Sequence, residues 1–517
     1  MHEAVKHIVI VGGGSAGWLV AGVIAAEHRS ASPDGLQVTL LESPDVPPIG
    51  VGEGTWPTMR DTLRRIGVSE ADFFRECDAS FKQGSRFNGW VNGAVEDHYF
   101  HPFVLPQGYG ETDLVSGWLQ RCPELPFADV VSYQPHLCVH GKAPKQKATP
   151  EYAAVANYGY HLDAGKFGQF LRKHCTAKLG VHHVLDHMTG VRSHENGDIA
   201  AVHTQAHGAL EGDLFIDCTG LHSLLLGQHY QVPFLSQKQV LFNDTALALQ
   251  VPYADAHAPI ASQTLSTAQH SGWIWDIGLP TRRGTGYVYS SAHTSDEEAQ
   301  EALQRYIAQT GGPAPTGSAR KLSFEPGYRG KFWHRNCVAI GLSAGFIEPL
   351  EASALALVEL SAQMLCDDMP ATRAVMDIAS RRFNDAFTYR WERVIDFLKL
   401  HYVLTQRTGS DYWRDNCRTE SIPMRLQELL MLWKHQSPSR YDLTRIDEVF
   451  PAASYQYIMY GMGFKPQMRL TERKVDEPTI AMAYFQDAAM LTRKMLSALP
   501  DNRTLITHIQ QHGMPKI

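Results

Sequence analysis

The chain has no C-x-x-C pair, no block of basic residues, no internal repeat and no low-complexity run. Its eight cysteines stand apart, at 77, 122, 138, 175, 218, 337, 366 and 417. That scatter reads as reduced thiols, not a disulfide framework or a zinc site. A net charge of -7 without any basic block argues against nucleic acid and acidic membrane surfaces as partners. No long apolar run spans a bilayer: the most apolar helical stretch, Ser353 to Leu365, is short and broken by Glu359. No signal-peptide pattern is seen, because a strand begins almost at once, and a cytoplasmic location is the expectation. The 25 histidines, His182-His183 among them, lack metal-ligand spacing, so no metal is expected. What is present is ordinary for a globular enzyme: 517 residues, 44% hydrophobic and 20% charged. That length suggests roughly two to four domains.

The informative stretch is Val9-Ile10-Val11-Gly12-Gly13-Gly14-Ser15-Ala16-Gly17-Trp18. A β-branched run enters a glycine turn, and a small-residue helix over Ala16 to Ala26 follows. Gly12, Gly14 and Gly17 carry the G-x-G-x-x-G spacing: a tight turn, a close backbone approach to a pyrophosphate, and close helix–strand packing. The helix N-terminus offers N–H groups and partial positive charge to phosphates. A second strand, Leu36 to Leu41, delivers Glu42 where a carboxylate can bind ribose hydroxyls.

Two later segments favour FAD over NAD. Gly212 to Gly220 reads as a buried strand running into an Asp-x-x-Gly turn. Asn336 to Gly345 is another such strand; it ends in small residues that let backbone approach a flavin, with a helix after Pro349. Both also read as plain central strands with tight turns. The first half alternates strands and helices, so an α/β core is expected. Beyond about residue 350, Ala371 to Gln406, Ser421 to His435 and Ile480 to Leu499 carry apolar residues at helical spacing. The expected organisation is a Rossmann-like α/β body over 1–350, with substrate-pocket segments interleaved at about 80–160, and a mostly helical cap over 351–517.

The chain resembles the flavin-dependent halogenases of the tryptophan-halogenase family, across nearly its whole length. The carriers are Gly12 to Trp18, Gly50 to Thr58, Ser80-Phe81-Lys82, Gly272-Trp273-Ile274-Trp275-Asp276-Ile277 and Glu348-Pro349-Leu350-Glu351. The Trp-x-Trp-x-Ile element is the most specific of these. The family continues it directly to proline, whereas Gly278 and Leu279 here precede Pro280. That departure suggests an indole- and bromide-preferring kind of subgroup. The resemblance implies an FAD-binding body of the flavoprotein-monooxygenase type. Gly12, Gly13, Gly14, Ser15, Ala16, Gly17, Glu42, Gly52, Glu53, Gly54, Gly341, Leu342 and Pro349 would hold the cofactor. It also implies a separate, transient flavin reductase that supplies FADH2, and dioxygen and halide as co-substrates. Hypohalous acid is made at the flavin and passes through a tunnel to an aromatic substrate. Assembly as a homodimer is left open.

Lys82 matches the family lysine. Its ammonium can hydrogen-bond hypohalous acid, or a desolvated neutral amine can itself be halogenated. Glu351 matches the carboxylate that assists aromatic substitution and touches substrate, at the start of an apolar helix. Glu348 fits the ordinary role of an acid at a helix N-terminus. Ala352-Ser353-Ala354 replaces the family's Ser-Thr-Gly. Ser353 and Ala354 still leave backbone N–H groups to meet a halide, and bromide, being easier to oxidise, is the favoured one. Trp273 and Trp275 face one side of a strand. They wall the tunnel by resemblance, though an aromatic core cluster gives the same pattern. Gly286 to Ser290 is their expected partner strand. His101 and Phe103 match positions that sandwich the substrate ring, and Tyr455 to Gly463 falls where the cap closes the pocket. No site for an amino acid's carboxylate and ammonium is evident, so indole or another electron-rich aromatic is as good a substrate as tryptophan. The rival readings are a flavin-dependent aromatic monooxygenase and a non-catalytic flavin-binding protein.

Overall fold

The computed structural model describes residues 4–46, 52–313, 318–445, 448–467 and 478–516. The chain falls into two compact units that interleave along the sequence. The first comprises Met1–Ala79, Leu162–Gln237 and Phe324–Trp391; the second comprises Ser80–His161, Lys238–Ser323 and Glu392–Ile517. The 350/351 boundary read from the sequence therefore falls inside the third segment of the first unit.

The first unit is built on a six-stranded sheet, in the order Trp333–His334, Cys337–Ala339, Leu214–Asp217, His7–Val11, Gln37–Glu42 and His182–Leu185. All neighbours run parallel except the first pair. Ile8, Val9 and Ile10 are fully buried, as a β-branched run with both faces covered must be. The two late strands read from the sequence, Leu214–Asp217 and Cys337–Ala339, pair directly beside it. The helix Ser15–Glu27 buries every residue from Gly17 to Ala25 and shows no polar face. A helix apolar all round belongs in an interior, and this one packs against Ala164–Lys178 and Ser353–Asp367 as well as the sheet. Each large side chain it buries, such as Leu19 or Ile24, contributes roughly 1.5–3 kcal/mol.

The second unit holds a seven-stranded sheet, in the order Arg320–Ser323, Thr245–Pro252, Arg282–Tyr289, Gly272–Gly278, Thr264–Gln269, Gly84–Asn88 and His98–Pro102. It is antiparallel except where Thr264–Gln269 meets Gly84–Asn88. Gly272–Gly278 is buried throughout and pairs with Arg282–Tyr289, the partner expected from the sequence. The helix Asp296–Gln309 starts with a Ser295/Glu298 capping box and packs Ala299, Leu303, Tyr306 and Ile307 onto that sheet. The helices Met424–Trp433, Ala452–Gly461, Pro478–Ala498 and Asn502–His512 complete it. The helix foreseen over Ala371 to Gln406 runs from Arg373 to Val403, and that over Ser421 to His435 shortens to Met424–Trp433 behind a 3-10 turn. All eight cysteines are free.

Candidate active site

In the first unit the glycine turn has the shape its spacing implies. Gly12 adopts φ +116°, and a Cβ there would lie 2.2 Å from the Cys218 carbonyl oxygen. A Cβ on Gly17 would lie 1.9 Å from the Gly12 oxygen, and one on Gly13 would strike the Glu42 side chain. Gly14 differs: at φ -75°, ψ -179° it is extended, and a Cβ would meet no protein atom within 4 Å. Three glycines let protein pack on protein, and the fourth keeps a space open at the helix N-terminus. That open cradle fits a pyrophosphate held by the N–H groups of Ser15, Ala16 and Gly17. Ser15 is anchored by its hydroxyl donating to the Ala164 carbonyl at 3.2 Å.

Glu42 ends its strand as expected and is engaged there. His183 Nε2 lies 2.9 Å from it and Arg172 3.8 Å. Sequence reasoning set His183 aside because it sought metal spacing. Gly341 adopts φ +75°, and its Cβ position lies 2.9 Å from Ala16 Cβ, so the late strand does arrive at the glycine turn. Leu342 follows it, half-buried, in the 3-10 turn Gly341–Ser343. Asp217, at the strand end between the two, is fully buried. It accepts from Thr219 N and Oγ1, Ser223 Oγ, Leu225 N and Leu226 N. It fixes the turn rather than facing a ligand. The strand Gly52–Gly54 carries Glu53, whose Oε2 has no hydrogen-bond partner among the described residues. Burial pushes its carboxyl up to about 7. A carboxyl left without a partner beside two glycines suits a ligand-facing position. Gly50 and Val51 of the same motif lie outside the described residues.

The Glu348–Ala354 stretch departs from the expectation. Glu351 does not open the apolar helix, which begins at Ser353 after a 3-10 turn over Leu350–Ala352. Glu351 (φ 65°) and Ala352 (φ 56°) are both left-handed, although neither is glycine. Consecutive residues in that region cost about 1–2 kcal/mol each. Trp56 Nε1 donates to the Glu351 carbonyl at 2.8 Å and helps hold the turn. Glu351 is buried (6% exposed). Glu348 is buried as well and lies ahead of the turn, so it is not the exposed acid of a helix N-terminus. Ser353 is buried, whereas Pro349 and Ala354 are exposed. Glu359, read only as an interruption, accepts from Thr62 Oγ1 at 2.7 Å and Thr58 Oγ1 at 3.4 Å. Burial pushes it up to about 8.

In the second unit Lys82 ends the short strand Ser80–Lys82 and is 1% exposed. Lysine is almost never so buried unless it is paired, and Lys145 and Lys399 are buried as deeply. Phe81 takes the opposite face, edge-on to Tyr158 at 5.0 Å. Lys82 Nζ lies 5.5 Å from the centroid of the Phe103 ring. Phe103 in turn lines an open cleft of about 480 Å³ with Val104, Pro106, Tyr109, Asn157 and Tyr484. His101 is not on that cleft: it is buried among Phe397, Phe450 and Tyr457, with ring centroids 5.6 to 6.3 Å away. The helix carrying Tyr455 to Gly461 abuts this wall, with Tyr457 Oη donating to the Val104 carbonyl at 3.0 Å. Trp273 and Trp275 are both buried on one strand. Trp273 lies 6.3 Å from Trp90 in an aromatic cluster, and a Cβ on Gly286 would lie 2.0 Å from the Trp275 ring. Among the described residues, no group of three His, Cys, Asp or Glu side chains is placed to hold a metal, and no helix is long and apolar enough to cross a membrane.

A phosphate cradle in a parallel sheet, with a late strand returning to it, defines a dinucleotide-binding enzyme of the flavoprotein kind. The tryptophan halogenase family model matches residues 7–476. The chain is 34% identical to the 7-chloro-L-tryptophan 6-halogenase KtzR of Kutzneria sp. (strain 744), covering 88% of this chain and 90% of that one. It is 51% identical to the crystal structure of a tryptophan halogenase from Shewanella frigidimarina NCIMB 400, with a TM-score of 0.96 over 100% and 99% of the two chains. BrvH, a flavin-dependent halogenase from Brevundimonas sp. BAL3, is 32% identical with a TM-score of 0.85, over 98% and 99%. The chain belongs to the tryptophan halogenase family. It is a flavin-dependent halogenase that uses FADH2, halide and dioxygen.

Proposed function

We propose that this enzyme halogenates an electron-rich aromatic, an indole or a tryptophan-like compound, by electrophilic substitution directed by Lys82 and Glu351. The observation that carries the reading is the burial of Lys82 beside Phe103 at the cleft wall. Reduced FAD, with dioxygen and halide, supplies hypohalous acid. The cradle at Gly12–Gly17, with Glu42, Gly52, Glu53, Gly54, Gly341, Leu342 and Pro349, holds that cofactor.

Lys82 donates a hydrogen bond to the oxygen of the hypohalous acid and so sharpens the halogen as an electrophile. The ring carbon bonds to halogen as the oxygen–halogen bond breaks. The departing hydroxide takes a proton from Lys82 and leaves as water. Glu351 stabilises the cationic ring and accepts the proton it sheds, which restores aromaticity. The strained turn that carries Glu351 supports this role, because such strain persists where function needs it. Phe103 offers the ring a stacking face. Trp273 and Trp275 wall the path of the oxidant, supported by their burial on one face of one strand. Ser353 and Ala354 present the halide with backbone N–H groups. A separate reductase supplies FADH2, as flavin-dependent halogenases generally require.

The test is a panel of indole, tryptophan and phenols, each incubated with reductase, FAD and chloride or bromide, and read by mass spectrometry. A halogen-sized increment supports halogenation, and an oxygen-sized one supports a monooxygenase. No product from any member supports a flavin-binding protein without turnover.

A further inference from the structure

The strand His98–Pro102 is the edge of its sheet, and its last residue, Pro102, pairs with Gly84. The chain then leaves the sheet, and Phe103 and Val104 line the cleft. Past the sheet their N–H groups have no ladder to join and need other acceptors. One side chain supplies them. Gln134 Oε1 accepts from Phe103 N at 2.8 Å and from Val104 N at 3.0 Å. Gln134 Nε2 donates to the Asn157 carbonyl at 2.6 Å and to Gln83 Oε1 at 3.5 Å.

A carboxamide has two acceptor positions and two donor positions, and Gln134 fills all four. Main-chain partners fix which end is which, because a peptide N–H only donates and a peptide carbonyl only accepts. Gln134 and Gln83 are both fully buried, at 0% exposure. A buried polar network that is fully satisfied rigidifies what it joins. Gln134 stands behind the cleft wall: three of its partners, Phe103, Val104 and Asn157, line the cleft. The fourth, Gln83, follows Lys82 in the chain. Two further bonds tighten the same knot. The Gln83 carbonyl accepts from Phe103 N at 3.3 Å, and Asn157 Nδ2 donates to the Phe103 carbonyl at 2.9 Å. The Phe103 ring and the Lys82 ammonium, 5.5 Å apart, thus hang on two backbone segments that one amide ties together.

We infer that Gln134 is a positioning residue for aromatic binding: it holds Phe103 as the ring platform at its distance from Lys82. This rests on the stacking role proposed above for Phe103. Without the amide the two N–H groups lose their acceptor, and the Phe103–Val104 turn shifts to find others. The aromatic then loses its stacking face, while the cradle at Gly12–Gly17 is untouched. The signature is weaker binding of the aromatic with FAD affinity unchanged.

The experiment titrates indole into the FAD-loaded protein by calorimetry, which needs no turnover, and reads KM for indole in bromination with reductase, FAD and bromide. Gln134→Met keeps the length of the side chain and loses all four bonds. Kd and KM for indole should rise about tenfold, the ~1.4 kcal/mol that such a change represents, with FAD affinity within about threefold of wild type. A merely structural role would lower the melting temperature and the fraction of active enzyme and leave Kd and KM alone. Gln134→Glu is protonated below neutral pH, because burial raises a carboxyl pKa. It then presents the same carbonyl and an O–H for Asn157, and should recover most of the loss. Gln134→Asn keeps the amide but withdraws it by one carbon; it should bind indole as weakly as Gln134→Met, and it carries the test if the methionine variant does not fold. A wild-type Kd for indole in folded Gln134→Met or Gln134→Asn overturns the inference. So does a Gln134→Glu variant as impaired as Gln134→Met, and so does a wild-type protein that binds no indole. Lys82→Ala runs alongside: if it still brominates indole, the lysine reading fails, whatever the Gln134 variants do.

Discussion

Gly14→Val separates folding from cofactor binding more sharply than any other change at the glycine turn. The extended backbone at Gly14 suits a β-branched residue, and its Cβ would meet no protein atom within 4 Å. Folding should therefore be unharmed, or gain about 0.4–1 kcal/mol from a stiffer unfolded chain. The side chain instead fills the space where a pyrophosphate must approach. Losing one hydrogen bond to a charged phosphate costs about 1.5–3 kcal/mol, which at 1.4 kcal/mol per decade weakens FAD binding by roughly 10- to 150-fold. Gly12→Ala is the counterpart. Its φ of +116° and the 2.2 Å approach to the Cys218 oxygen should destabilise the apoprotein itself. Quenching of flavin fluorescence gives the affinity, and thermal melting without FAD gives the stability. FAD affinity within threefold of wild type in Gly14→Val, or an apoprotein that melts as early as Gly12→Ala, would refute the reasoning.

Two further outcomes follow from the first unit. The raised pKa of Glu359, about 8 against an ordinary 4.5, means burial disfavours its charged form. Its stability is then whole below about pH 4.5 and is lost as pH rises toward 8. Glu359→Gln should keep the contacts to Thr58 and Thr62, flatten that decline, and stabilise the protein by up to about 4 kcal/mol at pH 8; parallel melting-versus-pH curves for the two proteins would contradict this. Trp56→Phe removes one hydrogen bond, worth about 1 kcal/mol, from the carbonyl of Glu351. The rate of halogenation should fall about fivefold with FAD affinity unchanged; an unaltered rate would show that the turn holds without Trp56.

Local signals were the legible ones. The G-x-G-x-x-G turn, the run Val9–Val11, the acid at Glu42 and the Trp273/Trp275 alternation each depend on neighbours along the chain, and the structure has each in the expected element. Gly341 meeting Ala16 was foreseeable only in kind, from the small residues at the end of that strand. An interleaved stretch at about 80–160 was expected, but which later segments join it was not legible, because a strand such as Gly84–Asn88 finds its partner, Thr264–Gln269, far away in sequence. The burial of Lys82 is likewise tertiary: the segment Asp78 to Phe87 mixes apolar and basic residues in a way that suits a surface too. Helical spacing around Pro349-Leu350-Glu351 suggested a helix start, but the left-handed pair at Glu351 and Ala352 leaves no mark in composition. The resemblance matches His101 and Phe103 to ring-sandwiching positions, whereas the structure packs His101 among Phe397, Phe450 and Tyr457 and leaves Phe103 on the cleft.

The central claim is that a buried amine takes charge of an oxidant made at the flavin, and Lys82→Ala addresses it most directly. The account predicts that this variant binds FAD as wild type does and consumes dioxygen as fast, while bromoindole formation falls at least about 100-fold. Bromoindole at close to the wild-type rate from that variant would contradict it.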